Sequence, residues 1–118
     1  MRFTITANDS KDVLFANARQ ARSFFERLRG LMFKDSIADN DALFFYNAPS
    51  IHTFFMRFPI DILFLDKHMK IIKVHPAVGP GKLSCCRGAF CTIECAAGLC
   101  ESKNIKPGDV IKIKRISA

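Results

Sequence analysis

Residues 50–66 read Ser-Ile-His-Thr-Phe-Phe-Met-Arg-Phe-Pro-Ile-Asp-Ile-Leu-Phe-Leu-Asp, and this stretch says most about the fold. It is too apolar to form a surface loop, yet it carries His52, Arg57 and Asp61 among its aromatic residues. A charged side chain in apolar surroundings costs free energy unless it is paired. The stretch therefore predicts either an internal ion pair or a pocket with a polar lining.

Two arrangements of these charges are open. In an extended run Arg57 and Asp61 point to the same face and His52 points to the other. Pro59 lacks an amide proton and is expected to bend or end the strand between the two charges. The bend could pair Arg57 with Asp61. Alternatively, the polar residues could line a pocket floored by phenylalanine and methionine, which is the usual form of a small-molecule site.

The sequence before this stretch predicts one main helix. Apolar residues from Ala18 to Leu28 recur at helical spacing, and Gly30 suits a helix C-terminus. The pattern predicts a helix over about residues 18–29. Its arginines could grip an anion but would more often form a solvated face, and Arg29 is the one that could point inward.

Most of the remaining chain has the pattern of short strands. Residues 2–6 alternate, and residues 13–15 look like their hairpin partner. Further predicted strands cover residues 43–47, 53–57, 60–66, 70–75, 90–95 and 110–115. Residues 98–105 could form a second, short helix. The pattern predicts the α+β class, with a single compact domain over residues 1–118 and a strongly curved or barrel-like, mostly antiparallel sheet.

Composition and charge narrow the function. The net charge is +7, from 18 Lys and Arg against 11 Asp and Glu. The basic residues are scattered along the chain without a long run, so a solvated basic surface is favoured over nucleic-acid binding. No apolar run approaches the about 20 residues of a membrane span, and no signal peptide is visible. We expect a soluble, cytoplasmic protein without a membrane partner.

The five cysteines suggest neither a disulfide framework nor a metal site. They are Cys85, Cys86, Cys91, Cys95 and Cys100. An odd count without a signal peptide indicates reduced thiols. On a strand, Cys91 and Cys95 would lie about 13 Å apart, too far to share one zinc ion, so we expect small buried hydrophobes. We expect no metal and no cofactor. Cys85 and Cys86 adjoin Arg87, which favours a reactive thiolate, and His75, across the Gly-Pro-Gly turn, is the one nearby candidate for a partner base.

Four strings resemble a known family in the family's own order. They are Arg29-Gly30-Leu31-Met32-Phe33, Ser50 to Asp66, Thr92 to Gly98, and Ile105 to Val110. The chain resembles the bacterial and archaeal domain of unknown function 192 (DUF192), also catalogued as uncharacterised protein family 0127. The resemblance covers about residues 10–115. It implies a compact α+β domain with a barrel-like sheet, and it implies no activity. Cys95 stands where the family has an aliphatic residue, so the cysteines are not a family signature.

The candidate binding residues are Arg29, His52, Arg57, Asp61 and Glu94. We favour a noncatalytic binding or accessory module whose pocket or groove is built on residues 52–61 and takes a small anionic ligand. We expect no enzyme, although the alternative is an enzyme acting on such an anion. Arg29 or Arg57 would then bind the anion, and His52 or Asp61 would move protons. That alternative requires His52 and Asp61 to face one cavity.

A second alternative is nucleic-acid binding through a basic face that joins the helix arginines to the C-terminal lysines. It predicts binding that weakens steeply with salt. The scattered charge makes this alternative the weaker one.

Overall fold

The computed structural model describes residues 2–23, 26 and 34–116. Among these residues 51% lie in strands and 5% in helix. The protein is therefore mainly β, and the predicted α+β class is wrong. Its radius of gyration is 12.9 Å, close to the about 13 Å expected of a compact chain of this length. A single domain and a cytoplasmic location stay predictions. None of the described helices is long and apolar enough to cross a membrane.

The described elements are nine strands and one short helix. In chain order they are β1 (Arg2–Ala7), β2 (Val13–Gln20), β3 (Asp41–Tyr46), β4 (Ser50–His52), β5 (Ile60–Leu65), β6 (Ile71–Val78), β7 (Leu83–Cys85), β8 (Cys91–Ala96), α1 (Leu99–Ser102) and β9 (Ile111–Ile116). The helix α1 has four residues and is shorter than the predicted segment 98–105.

The predicted main helix over residues 18–29 is wrong at its start. Ala18 lies inside β2, where it pairs with Ala42 of β3. Between Phe15 and Ala18 the pairing of β2 with β1 shifts register, so two residues of β2, Ala16 and Asn17, oppose the single Thr4 of β1. Such a bulge replaces the period of two with a step of three. The bulge sets Phe15 and Ala18 three residues apart, whereas the predicted helical pattern began with Ala18 and Ala21, which are also buried. Apart from Glu26, residues 24–33 lie outside the described residues, and Arg29 is among them.

Seven strands form one mixed sheet in the order β6-β5-β8-β3-β2-β1-β9. Neighbouring strands run antiparallel except β2 and β3, which are parallel. The edge strands β6 and β9 approach at one end, where a single bridge joins Lys70 to Val110. The described strands do not close into a barrel, so the predicted barrel-like architecture is wrong.

The sheet is buried on both faces. One apolar cluster, which we call the first core, contains Phe15, Phe44, Leu63 and Ile93. The second core, on the other face, contains Leu43, Phe45, Ile62 and Phe64. A central strand covered on both sides needs apolar residues at every position, which explains why β5 is apolar at all its positions but one. The exception is Asp61.

A small second sheet pairs β4 with β7. It is tied to the edge strand β6, where the His75 ring nitrogen Nδ1 lies 2.7 Å from the Ser84 hydroxyl and Lys73 Nζ donates to the Cys85 carbonyl at 2.8 Å. The predicted strand over residues 53–57 is wrong, since β4 ends at His52 and Phe55 adopts a positive φ of 67°. A phenylalanine at positive φ cannot continue a strand, so the chain turns here.

Candidate functional site

Asp61 is a fully buried carboxylate held by backbone amides. Its Oδ1 accepts a hydrogen bond from the Ala77 N–H at 2.8 Å. Its Oδ2 accepts hydrogen bonds from the N–H groups of Gly98 at 3.1 Å and Cys100 at 3.0 Å. Three amide donors can replace water around a carboxylate, so Asp61 needs no cation to remain buried. It connects β6 and the start of α1 to the central strand.

Arg57 lies at the surface and does not pair with Asp61. Its side chain is 57% exposed, and its Nη1 lies 3.4 Å from Oδ1 of Asp35, whose side chain is 91% exposed. Surface ion pairs of this kind contribute little to stability. The structure therefore does not bring Arg57 and Asp61 together, and the ion pair considered for the sequence is absent.

Asp61 and Glu94 point to opposite faces of the sheet. Asp61 stands opposite Cys95, and directly opposed residues in an antiparallel pair share a face. Cys95 belongs to the first core. Glu94, which is also fully buried, stands opposite Leu43 and Ile62 of the second core. The two carboxylates therefore cannot line one pocket.

His52 lines a cleft on the side of the second core. The cleft, which we call the His52 cleft, has a volume of about 260 Å³. Its apolar wall consists of Ala21, Phe45, Ala48 and Ile51. Its polar groups are Arg22, Ser23, Tyr46, Ser50 and His52. It therefore combines an apolar floor with a few polar groups, as small-molecule sites do.

The chain around His52 is held by its neighbours. The His52 ring stacks on Phe54, with ring centroids 5.0 Å apart and planes at 22°. The next residue, Thr53, is fully buried, and its Oγ1 donates to the Gly79 carbonyl at 2.6 Å and accepts from the Lys82 N–H at 2.8 Å. These bonds fasten the end of β4 to the turn between β6 and β7. The position of His52 is therefore set by residues far along the chain.

Asp61, Cys95 and Cys100 form a buried cluster whose potential ligand atoms lie within 4.8 Å of one another. A hydrogen bond with the Cys100 thiol, together with burial, raises the pKa of Cys95 well above its usual value. The Asp61 oxygens already accept three amide protons. The described contacts make these three residues a packed, hydrogen-bonded cluster.

The cysteines divide by exposure. Cys91 and Cys95 are both fully buried in the first core, which confirms that they serve as small core residues. Burial raises the pKa of Cys91 to about 12. Cys85 is exposed, and its Sγ lies 3.4 Å from the Ser50 hydroxyl. The sequence does not indicate that Cys95 and Cys100 meet, because they belong to two different predicted elements, a strand and a following helix.

Of the five predicted site residues, the structure brings one, His52, to the cleft. Arg57 lies on the surface, Asp61 lies on the opposite face of the sheet, and Glu94 is buried in the second core. Arg29 lies outside the described residues. Sequence reasoning missed Ser23 and Ser50, which line the cleft. Ser50 is the first residue of the stretch 50–66, but a single serine is too common to single out.

The chain belongs to the family DUF192, described as “Uncharacterized ACR”, because the family model matches residues 4–113. This confirms the family suggested by the four sequence strings. No curated protein matches the chain at a significant level.

Two solved structures have a similar fold. One is a protein of unknown function from Novosphingobium aromaticivorans DSM 12444, with a TM-score of 0.78, 24% identity, and coverage of 94% of this chain and 83% of that one. The other is described as “a putative transcription regulator” from Sinorhizobium meliloti 1021, with a TM-score of 0.78, 19% identity, and coverage of 94% and 91%. At these identities the likeness establishes the fold alone.

Proposed function

We propose that the protein is a noncatalytic binding module that takes a small, negatively charged molecule in the His52 cleft. The observation that carries this proposal is the joining of an apolar wall to a short row of polar side chains in one concavity. Residues 50–52 line the cleft, and they are the first residues of the stretch 50–66 that marks the family.

The size of the cleft limits its ligand. Sites for drug-sized molecules measure roughly 300–1,000 Å³. At about 260 Å³, the His52 cleft lies just below that range. A small metabolite fits this volume better than a nucleotide or a peptide.

The lining favours an anion with one apolar side. Arg22 offers a guanidinium, which binds carboxylate and phosphate groups in a planar fork. Ser23 and Ser50 add hydroxyl donors, and His52 can donate through its ring. The net charge of +7 attracts anions to the molecule as a whole. Phe45 and Ile51 would contact the apolar part of the ligand.

The enzyme alternative is weaker because its proton-transfer pair is not assembled. It requires His52 and Asp61 to face one cavity. Asp61 instead faces the first core and accepts three backbone hydrogen bonds. Nucleic-acid binding draws on the net charge and on the provisional description of one similar structure as a transcription regulator. That structure is only 19% identical, so it adds little weight.

The proposal is tested with a panel of small carboxylates and phosphate monoesters. Binding is first sought by thermal shift and then measured by titration calorimetry on the best member. We expect His52→Ala to weaken its binding about tenfold, since one buried polar contact is lost. Ser50→Ala should weaken it by a smaller factor.

The matched control is His68→Ala, which removes an exposed histidine in the turn between β5 and β6. This variant should bind like the unaltered protein. Melting curves of all variants establish that they are folded. If no panel member binds, or if both histidine variants lose affinity equally, the His52 cleft is not the site.

A further inference from the structure

The free edge of β9 is a separate feature that the His52 cleft does not use. β9 is the last strand of the seven-stranded sheet and pairs with β1 from Ile111 to Ile116. On its other side, the described chain supplies only the short contact at its start, where the Ile111 N–H donates to the Met69 carbonyl at 2.8 Å. From Lys112 onward no described strand covers that edge.

The direction of the backbone groups follows from this contact. The Ile111 N–H points away from β1, and groups along a strand alternate in direction with a period of two. The N–H and C=O groups of Ile113 and Arg115 therefore also point outward. Those of Lys112 and Lys114 point to β1. An edge of this kind is a template for one more strand.

A trough adjoins the same edge. It has a volume of about 620 Å³, and Ile111, Lys112 and Ile113 form one of its sides. Tyr46, Met69 and Phe90 contribute to the rest of its lining. The Tyr46 and Phe90 rings lie 5.3 Å apart, and each of these residues is 37% exposed. The trough therefore offers apolar contacts to side chains that point inward from an added strand.

The opposite edge of the sheet does not offer the same opportunity. β6 contains Pro76, which has no N–H to donate. In the same strand, the side chains of His75 and Lys73 already contact β7, His75 at the Ser84 hydroxyl and Lys73 at the Cys85 carbonyl. Proline and covering elements are the usual protection of an edge strand. Within the described residues, β9 lacks both.

Charge indicates what could bind there. Lys112 and Lys114 are exposed and lie on the outer face of β9, while the exposed Arg115 adds positive charge on the face of Ile111 and Ile113. A second copy pairing through its own β9 would set these cations against one another, and like charges on paired strands are destabilising. An acidic partner would instead gain opposite-charge pairs. A nucleic acid would use the cations but not the row of outward peptide groups.

We propose that the free edge of β9 and its trough bind an extended acidic peptide segment as an additional strand. Alternate side chains of the segment are apolar and enter the trough, and those between them are acidic and lie beside Lys112 and Lys114. Main-chain hydrogen bonds to Ile113 and Arg115 supply affinity that does not depend on sequence, while the alternation supplies specificity. This inference is independent of the His52 cleft, although Tyr46 borders both cavities.

The probe is a short fluorescent peptide in which glutamate and valine alternate. Anisotropy titration measures its binding to the full chain. Two comparison peptides separate the contributions: one has the same composition in two blocks, and one alternates lysine with valine. We expect the alternating acidic peptide to bind best, because only it matches both the trough and the cations.

Two sets of variants test the geometry. The double variant Lys112→Glu/Lys114→Glu should weaken binding about tenfold, since two attractive pairs become repulsive. Its control, Lys82→Glu/Arg87→Glu, makes the same change of net charge at exposed positions around β7 and should have little effect. Arg115→Pro removes an outward N–H, whereas Arg115→Ala removes only the side chain. The proline variant should bind about fivefold less tightly than the alanine variant.

Each outcome decides the proposal. Equal binding of the alternating and block peptides overturns it, as does equal loss in the two charge-reversed double variants. A single-stranded oligonucleotide that binds more tightly than the peptide, and equally well to Arg115→Pro and Arg115→Ala, shows that the basic face binds nucleic acid instead. If Arg115→Pro does not fold, the charge-reversed variants still decide the question.

Discussion

Two charged residues of the stretch 50–66 lie in opposite surroundings, one exposed and one buried, because they have different partners. Arg57 reaches solvent and a surface aspartate, whereas Asp61 is sealed among three backbone amides. A buried carboxylate is costly only when its oxygens lack donors. Asp61 therefore holds the structure together, and Arg57 can vary without much effect on stability.

We expect Asp61→Asn to lower the free energy of unfolding by about 2–4 kcal/mol, because an amide NH₂ would confront backbone N–H donors and the charge-assisted bonds would be lost. Urea denaturation measures this change. Asp35→Asn, which removes the exposed partner of Arg57, is the control and should cost less than about 1 kcal/mol. Similar losses in both variants would contradict the assigned role of Asp61.

At the scale of elements, the connection from α1 to β9 depends on Asp109. Its Oδ1 accepts from the Asn8 side-chain amide, and its Oδ2 accepts from the Lys106 N–H, both at 3.0 Å. Asn8 in turn accepts from the Val110 N–H at 2.9 Å. The turn after β1 and the turn before β9 are thus joined near the bridge between Lys70 and Val110.

This arrangement predicts a pH dependence. Burial alone would raise the pKa of Asp109, but the hydrogen bonds from Asn8 and Lys106 outweigh it, so the pKa lies below its usual value. A lowered pKa in the folded state adds stability above the unfolded pKa of about 3.9, and this stability is lost as the pH falls toward the folded value. Asp109→Asn should therefore be less stable by about 1 kcal/mol at neutral pH, with a gap that narrows below about pH 4.

Urea denaturation across the pH range, on the unaltered protein and Asp109→Asn, measures the gap. Asp12→Asn, at an exposed position in the turn between β1 and β2, serves as the control and should follow the unaltered protein. A gap for Asp109→Asn that stays constant down to acid pH would contradict the lowered pKa.

At the scale of the whole molecule, the sheet predicts a gradient of local stability. β5, β8 and β3 have neighbours on both sides and apolar cores on both faces, while β9 lies at an edge. Protection from hydrogen exchange follows hydrogen bonding and burial. We expect the slowest amide exchange in the three central strands.

Within β9 the exchange should alternate. The Lys112 and Lys114 amides donate to β1 and should exchange slowly, while those of Ile113 and Arg115 point outward and should exchange faster by at least about tenfold. Amide exchange followed by NMR measures each residue separately. Uniform protection along β9 would mean that its outer edge is covered in solution.

Local sequence patterns were sufficient for some elements and misleading for others. The alternation in residues 2–6 and the apolar run of β5 predicted strands correctly. The helical spacing that begins at Ala18 instead suggested a helix, but Ala18 lies in β2 and pairs with Ala42 of β3. The sequence does not predict the turn at Phe55, because the positive φ of this phenylalanine is imposed by the surrounding structure.

The sequence by itself determined the family, most of the strands and the burial of Cys91 and Cys95, since these follow from ordered motifs and local hydrophobicity. Only the tertiary structure decided the sheet order, the faces to which Asp61 and Glu94 point, and the cleft in which His52 lies. Asp61 is held by Ala77, Gly98 and Cys100, all distant along the chain. Periodicity describes neighbours in sequence, whereas hydrogen bonds and packing across a sheet join residues that only the fold brings together.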